Sequence, residues 1–167
     1  NILFVILQIA MKDTTVLDSL VGNASHISIV VHTHPDGDAI GSGTAMLCYL
    51  TQSRGKDAAL IVPDSIPDSI SFITRGAADG SILVFDEEKE RASARINASD
   101  LIICLDCNSF SRTSGMEDAL RQSKAPKVLI DHHLNPDIEA FGLVFSETEV
   151  SSASELLFWI LLDMPDI

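Results

Sequence analysis

The chain has 167 residues, 46% of them apolar, and its 11 Lys plus Arg face 24 Asp plus Glu for a formal net charge of −13. That length and composition fit one domain with a sizeable core and exclude disorder. The acidic balance disfavours sequence-blind binding to long nucleic acid, which needs a basic footprint. It leaves room for a phosphate substrate, because bound metal can reverse the local field.

In chain order, residues 1–12 read as an N-terminal helix. Their apolar stretch "ILFVILQIA" (2–10) is far shorter than the ~20 residues of a membrane span. It also lacks the basic start and A-x-A site of a signal peptide. "HISIVVH" (26–32) reads as a strand, and residues 39–55 as a helix closed by Gly55. A second strand, "AALIVP" (58–63), stops at Pro63. Residues 81–99 give a short strand and then a helix capped by Asp86. "DLIICLD" (100–106) and "KVLIDHH" (127–133) are near-continuous apolar runs, as parallel strands buried on both faces require. Between them "MEDALRQSK" (116–124) is helical, and after them "FGLVFSE" (141–147) reads as a last strand. "SSASELLFWILLDM" (151–164) opens with the capping box Ser152-x-x-Glu155 and continues as an apolar helix. This alternation predicts an α/β domain with a mostly parallel sheet flanked by helices. Three cysteines, Cys48, Cys104 and Cys107, are an odd number that points to a reduced, cytoplasmic protein. Cys104-x-x-Cys107 reads as packing, since no second pair exists to complete a zinc site.

Three predicted strands end on acid or histidine. His32 leads to Asp36 and Asp38, the next ends at Asp106, and a third runs into Asp131, His132 and His133. Chemistry in such sheets collects beyond the carboxyl ends of the strands. Aspartate and imidazole together suit Mn²⁺, Mg²⁺, Fe²⁺ or Zn²⁺. Two cations ~3.5–4 Å apart can clamp the attacking and leaving oxygens of a displacement at phosphorus. Gly41 and Gly43 would let a helix N-terminus approach bound phosphate closely.

"HTHPDGDAIGSG", "LIICLDCN" and "VLIDHHLNPD" resemble the first three motifs of the DHH phosphoesterases, which include RecJ nuclease and the manganese-dependent pyrophosphatases. The likeness runs from about residue 20 to 162. The "DHHLNPD" extension and "EVSSASELL" look most like the bacterial nanoRNase/pAp-phosphatase branch. The resemblance implies two Mn²⁺ ions per site, with Mg²⁺ or another divalent ion as alternatives. His32, Asp36 and Asp106 would hold one, and Asp38, the bridging Asp106 and His132 the other. His133 would touch the substrate phosphate, Asp131 would orient the imidazoles, and Gly41, Ser42 and Ser152 would line the substrate side. The family's fourth motif, an aspartate beyond the last helix, and its smaller C-terminal substrate domain do not appear before Ile167, so the resemblance implies that residues 1–167 are a DHH catalytic domain cut before the fourth motif and impaired on its own.

The implied activity is hydrolysis of short oligoribonucleotides and 3′-phosphoadenosine 5′-phosphate. Its partner would be a short or small phosphorylated nucleotide, with no long duplex and no membrane; a homodimer is compatible. Alternatives are a linear or cyclic dinucleotide phosphodiesterase, an exopolyphosphatase-like phosphohydrolase, or a nucleotide-binding module without turnover.

Overall fold

The structure, a computed structural model, describes residues 14–165, so the expected N-terminal helix over 1–12 lies outside the described residues. Helix α1 (14–23) leads into strand β1 (His26–Val30) and then α2 (Gly37–Cys48). Next come β2 (Asp57–Val62), β3 (Ile82–Val84) and α3 (Lys89–Ala98). β4 (Leu101–Leu105) and α4 (Glu117–Gln122) precede β5 (Lys127–Asp131), β6 (Leu143–Ser146) and α5 (Ala153–Asp163).

The six strands form one sheet in the order β3-β2-β1-β4-β5-β6, and every neighbouring pair is parallel. Parallel neighbours need crossover connections, which put helices on both faces and bury the strands twice over. Period-2 alternation then divides the core in two. Ile27, Ile29, Leu60, Ile103 and Ile130 face α1, α2 and α5, packing on Leu17, Leu47 and Ile160. Val30, Ile61, Ile102, Cys104 and Leu129 face α3 and α4, packing on Ile96 and Leu120. A run such as β4, buried at all five positions, cannot show polar alternation because neither face meets water. The strand order reverses between β1 and β4, and a crevice opens there beyond the carboxyl ends.

Three local expectations change. The helix after β3 begins at Lys89 and takes Glu88 as its N-cap residue, with no side-chain cap bond. Asp86 lies one turn earlier, its N–H tied to Pro63 O at 3.1 Å, so it closes the β3 turn instead of capping a helix. Ser152 does cap α5, accepting from Glu155 N at 3.0 Å. Glu155 does not reach back to Ser152, however: its Oε2 accepts from the N–H and hydroxyl of Ser151 at 2.8 and 2.6 Å. Residues 49–53 end α2 as a π-helical turn, and Gly55 follows at φ 61, where a side chain would be strained.

Gly43 lets α2 lie flat on the sheet. A Cβ there would meet the two methyls of Leu60 at 2.9 and 3.2 Å and Val31 at 3.4 Å. Leu60 is fully buried and cannot swing out to solvent. Gly22, near the end of α1, has no neighbour within 4 Å of that position. Gly43→Ala should therefore cost about 1–3 kcal/mol through overpacking. Gly22→Ala should gain about 0.5–1 kcal/mol by relieving backbone entropy. Urea unfolding of the two variants checks both signs, and equal midpoints would refute this account of the α2–β2 contact.

Candidate metal centre

Asp106 is the first residue past β4 and stands at φ 54, in the left-handed region that aspartate tolerates better than most residues. That turn drives its carboxylate into the crevice, where the residue is only 2% exposed. Oδ2 lies 3.4 Å from His32 Nε2, while Oδ1 lies 3.6 Å from His132 Nε2 and 3.4 Å from His133 Nδ1. Oδ1 is buried yet has no hydrogen-bond partner. A carboxylate oxygen left in that state costs several kcal/mol unless something charged completes it.

The surrounding donors are set for a cation. His32 leaves the end of β1, is 6% exposed, and donates from Nδ1 to Thr33 O at 2.7 Å, so Nε2 keeps its lone pair. Ligands at ~2.1 Å from a tetrahedral ion stand about 3.4 Å apart, which matches the spacing around Asp106. Two groups qualify, each with ligand atoms within 4.8 Å of one another: His32, Asp36 and Asp106, and Asp106, His132 and His133. They share Asp106. The residues fit a divalent ion.

Asp36 is the N-cap of α2, and its Oδ1 accepts from Asp38 N and Ala39 N at 3.0 and 3.1 Å. The same oxygen lies 4.0 Å from His32 Nε2. Burial opposes ionisation, but the Ala39 and Asp38 amides outweigh it and hold the Asp36 carboxyl below the usual aspartate value. This arrangement corrects the expected phosphate cradle. The helix starts at Gly37, four residues before Gly41, and Asp36 already occupies its N-terminus as the bound anion. Gly41 and Gly43 lie inside the helix, Gly41 with Ser154 Oγ 3.4 Å from where its Cβ would be. Ser42 is fully buried and donates to Asp38 O at 2.8 Å, so its hydroxyl proton is used within the helix. Ser152 serves as the α5 cap.

Asp38 has two tasks. Its carboxylate accepts from Ala153 N and Ser154 N, both at 2.8 Å, and so holds the α5 N-terminus against α2. Oδ2 also lies 3.6 Å from His132 Nε2. Asp131 is fully buried at the end of β5 and accepts from both His133 N and His133 Nδ1 at 2.9 Å. It fixes the ring that follows it. The His132 and His133 rings lie 4.7 Å apart at 52°.

Several residues that shape the site go beyond those that the sequence pattern singles out. Asp64, just past β2, accepts from His34 N at 2.9 and 3.0 Å and from Thr33 Oγ1 at 3.1 Å, pinning a loop in which His34 stands at φ 52. Its signal was an acid after a further strand, at Pro63-Asp64. Asn108 ties the loop after His133, donating to Leu134 O and accepting from Asp137 N, both at 2.9 Å. Arg112 reaches the same region from a 3₁₀ helix (Phe110–Met116) and gave no sequence signal. Burial pushes the Cys107 thiol up to about 12, and Cys104 well above the ordinary thiol value. Neither is a thiolate near neutral pH, as packing cysteines should be.

Open α/β domains bind their ligands in the crevice where the strand order turns back, and the two candidate groups of this chain lie there. Within that class the chain belongs to the DHH family, whose N-terminal domain matches residues 26–165. It is 28% identical over 158 residues to the cyclic-di-AMP phosphodiesterase GdpP of Bacillus subtilis (strain 168). GdpP of Geobacillus thermodenitrificans (strain NG80-2) is 28% identical over 153 residues. Each match covers 89% of this chain and 23% of the relative, so the chain spans about a quarter of their length. Among solved structures, an exopolyphosphatase-related protein from Bacteroides fragilis superposes with a TM-score of 0.84 at 35% identity, over 92% of this chain and 44% of that one. RecJ from Thermus thermophilus, in complex with Mn²⁺, gives a TM-score of 0.54 at 18% identity, over 94% of this chain and 22% of that one. That second likeness shows the shared fold. Among the described residues no helix is long and apolar enough to cross a membrane.

Two predictions come from this geometry. The Asp106 carboxylate 3.4 Å from Nε2 raises the His32 pKa above its ordinary 6.5, against the pull of burial. Metal and proton compete for Nε2, so Mn²⁺ affinity should fall as pH drops through that raised value. In chelated protein the sign is opposite: His32 protonation stabilises the fold below 6.5, and the gain fades as pH rises past the folded value. Calorimetry between about pH 8 and pH 6 reads the first effect, and a pH-independent affinity would refute it. The second prediction concerns Asp38→Ala, which should cost about 1–2 kcal/mol in chelator alone, since two amides of α5 lose their acceptor. A thermal melt in EDTA unchanged from wild type would remove Asp38 from the helix contact.

Proposed function

We infer that this chain is the metal-binding catalytic domain of a phosphoesterase acting on short nucleotide substrates. The observation that carries the reading is Asp106, a buried carboxylate with an orphaned oxygen shared by two potential ligand groups. His32, Asp36 and Asp106 hold one divalent cation; Asp106 and His132, with Asp38 beside them, hold the second. Mn²⁺ is one of the divalent ions that suit this mixture, and it is the ion bound to the similar RecJ of Thermus thermophilus. When bound, the two cations acidify water and offset charge building on the phosphoryl oxygens. The chain does the rest. Thr33 O and Asp131 fix the tautomers of His32 and His133. Asp131 leaves the Nε2 edge of His133 for substrate. Asp36 stays ionised over a wide pH range because two amides hold it so.

Short oligoribonucleotides and 3′-phosphoadenosine 5′-phosphate are the substrates favoured by the DHHLNPD motif and the acidic surface. Additional phosphates of a longer strand would lie across a protein with 24 acids and 11 bases. A dinucleotide phosphodiester is the second reading, favoured by the similarity to GdpP.

The test is a panel of 3′-phosphoadenosine 5′-phosphate, diribonucleotide, cyclic and linear diadenylate, polyphosphate and long RNA, run with Mn²⁺ on the natural full-length protein. Turnover should be confined to the short nucleotides, and Asp106→Ala should abolish it, while Cys107→Ala keeps most of it. Preference for polyphosphate or long RNA would replace this reading, as would equal losses in the two variants.

A further inference from the structure

At the edge of the centre stands a cation that no carboxylate among the described residues pairs with. Arg112 Nη1 lies 3.5 Å from His133 Nδ1. That nitrogen also lies 2.9 Å from Asp131 Oδ1, a separation at which it must carry the proton and donate it to the carboxylate. A protonated ring nitrogen cannot accept from a guanidinium, so the Arg112 contact is two donors facing each other. Arg54, Arg91, Arg95 and Arg121 each hold a carboxylate, Asp18, Glu88, Asp57 and Glu117, while Arg75 belongs to the 3₁₀ turn Ser71–Gly76 and to neither ligand group. Among the described residues no carboxylate pairs with Arg112. In a chain with more than twice as many acids as bases, an arginine left unpaired beside a cluster of aspartates stands out.

Its backbone is firmly placed. Arg112 O accepts from Thr33 N at 2.7 Å, between the metal-facing His32 and the pinned His34. The 3₁₀ helix that carries it is capped by Ser109 and closes through Ser114, which is held at φ 51. The guanidinium is thus rooted to the loop that bears His32 and reaches toward the ring of His133. A planar fork of N–H donors is the side chain best matched to phosphoryl oxygens.

We propose that Arg112 binds a phosphoryl oxygen of the substrate beside His133, gripping from the protein side the phosphate that the metal centre holds. The inference rests on the phosphoesterase reading and adds a substrate-binding residue to it. Side-chain changes at Arg112 leave its carbonyl bond to Thr33 in place, so they test the guanidinium alone.

The experiment titrates inorganic phosphate into the Mn²⁺-loaded chain by calorimetry, for wild type, Arg112→Gln and Arg112→Lys, and titrates Mn²⁺ separately into each metal-free protein. Arg112→Gln should weaken phosphate binding about ten- to a hundredfold, the range of a charge-assisted pair. Arg112→Lys should recover part of the loss, keeping the charge without the fork. Mn²⁺ affinity and thermal midpoint should stay at the wild-type level. Phosphate binding equal to wild type in Arg112→Gln overturns the inference and leaves the phosphoesterase reading standing. A parallel loss of Mn²⁺ affinity also overturns it, by assigning Arg112 to the metal centre's geometry. A wild-type Mn²⁺-loaded chain that binds no phosphate sinks the phosphoesterase reading and this inference together.

Discussion

The Asp106 carboxylate is the constraint around which the site is arranged. It is almost fully buried, turned inward by a left-handed backbone, and faced by three imidazoles at distances too long for good hydrogen bonds. A fold selected for stability alone would protonate this group, expose it or replace it. Here the strain of the turn and the desolvated oxygen persist because the sheet around them over-determines the geometry. Asp106 N is tied to Ile130 O at 3.0 Å, and the strands on either side are buried on both faces. The stability of β4 and β5 is what allows an unfavourable residue at their ends.

Placement of the remaining groups follows from topology. β1, β4 and β5 are adjacent and parallel, so their carboxyl ends point the same way and deliver His32, Asp106 and Asp131 to one crevice. Asp36 and Asp38 enter from the first turn of α2, and each pairs its carboxylate with backbone amides at a helix start: Asp36 at its own helix, Asp38 at α5. Both helices therefore begin at the site with their positive ends answered by aspartates. A cation at Asp38 would couple metal ligation to helix docking, because it and the amides of Ala153 and Ser154 would draw on the same two oxygens.

Much of this is legible in the sequence, and the reason is the parallel sheet. Double burial makes β4 and β5 read as unbroken apolar runs, so an acid or histidine at the end of such a run marks a crevice residue. His32, Asp106, Asp131 and His132 are marked in this way. Other features obey rules that a linear pattern does not carry. Gly41 and Ser42 have the look of a phosphate loop, yet the helix starts four residues earlier, because Asp36 can cap it. Asp86 has the look of a cap, yet the chain needs three more residues to turn off β3. Asp64 matters only because β1 and β2 pair side by side and bring its loop against Thr33 and His34. Arg112 lies in a 3₁₀ segment with no periodicity, and only the folded position of His133 gives it meaning.

Charge explains why these pieces belong together. Asp36, Asp38, Asp106 and Asp131 put four carboxylates around one crevice in a chain that is already acidic. At about 4 Å, each would repel a phosphate charge by roughly 1 kcal/mol in water and by several times that in a partly buried setting. The bare cluster therefore rejects the substrate class that its geometry suits. On the proposed function, two divalent cations would cancel the four carboxylates. The sign of such a site would then be set by the Arg112 guanidinium beside His133. An unpaired arginine that would be idle in a basic protein would here be the group that tips a neutralised centre toward an anion, and only with the metals bound.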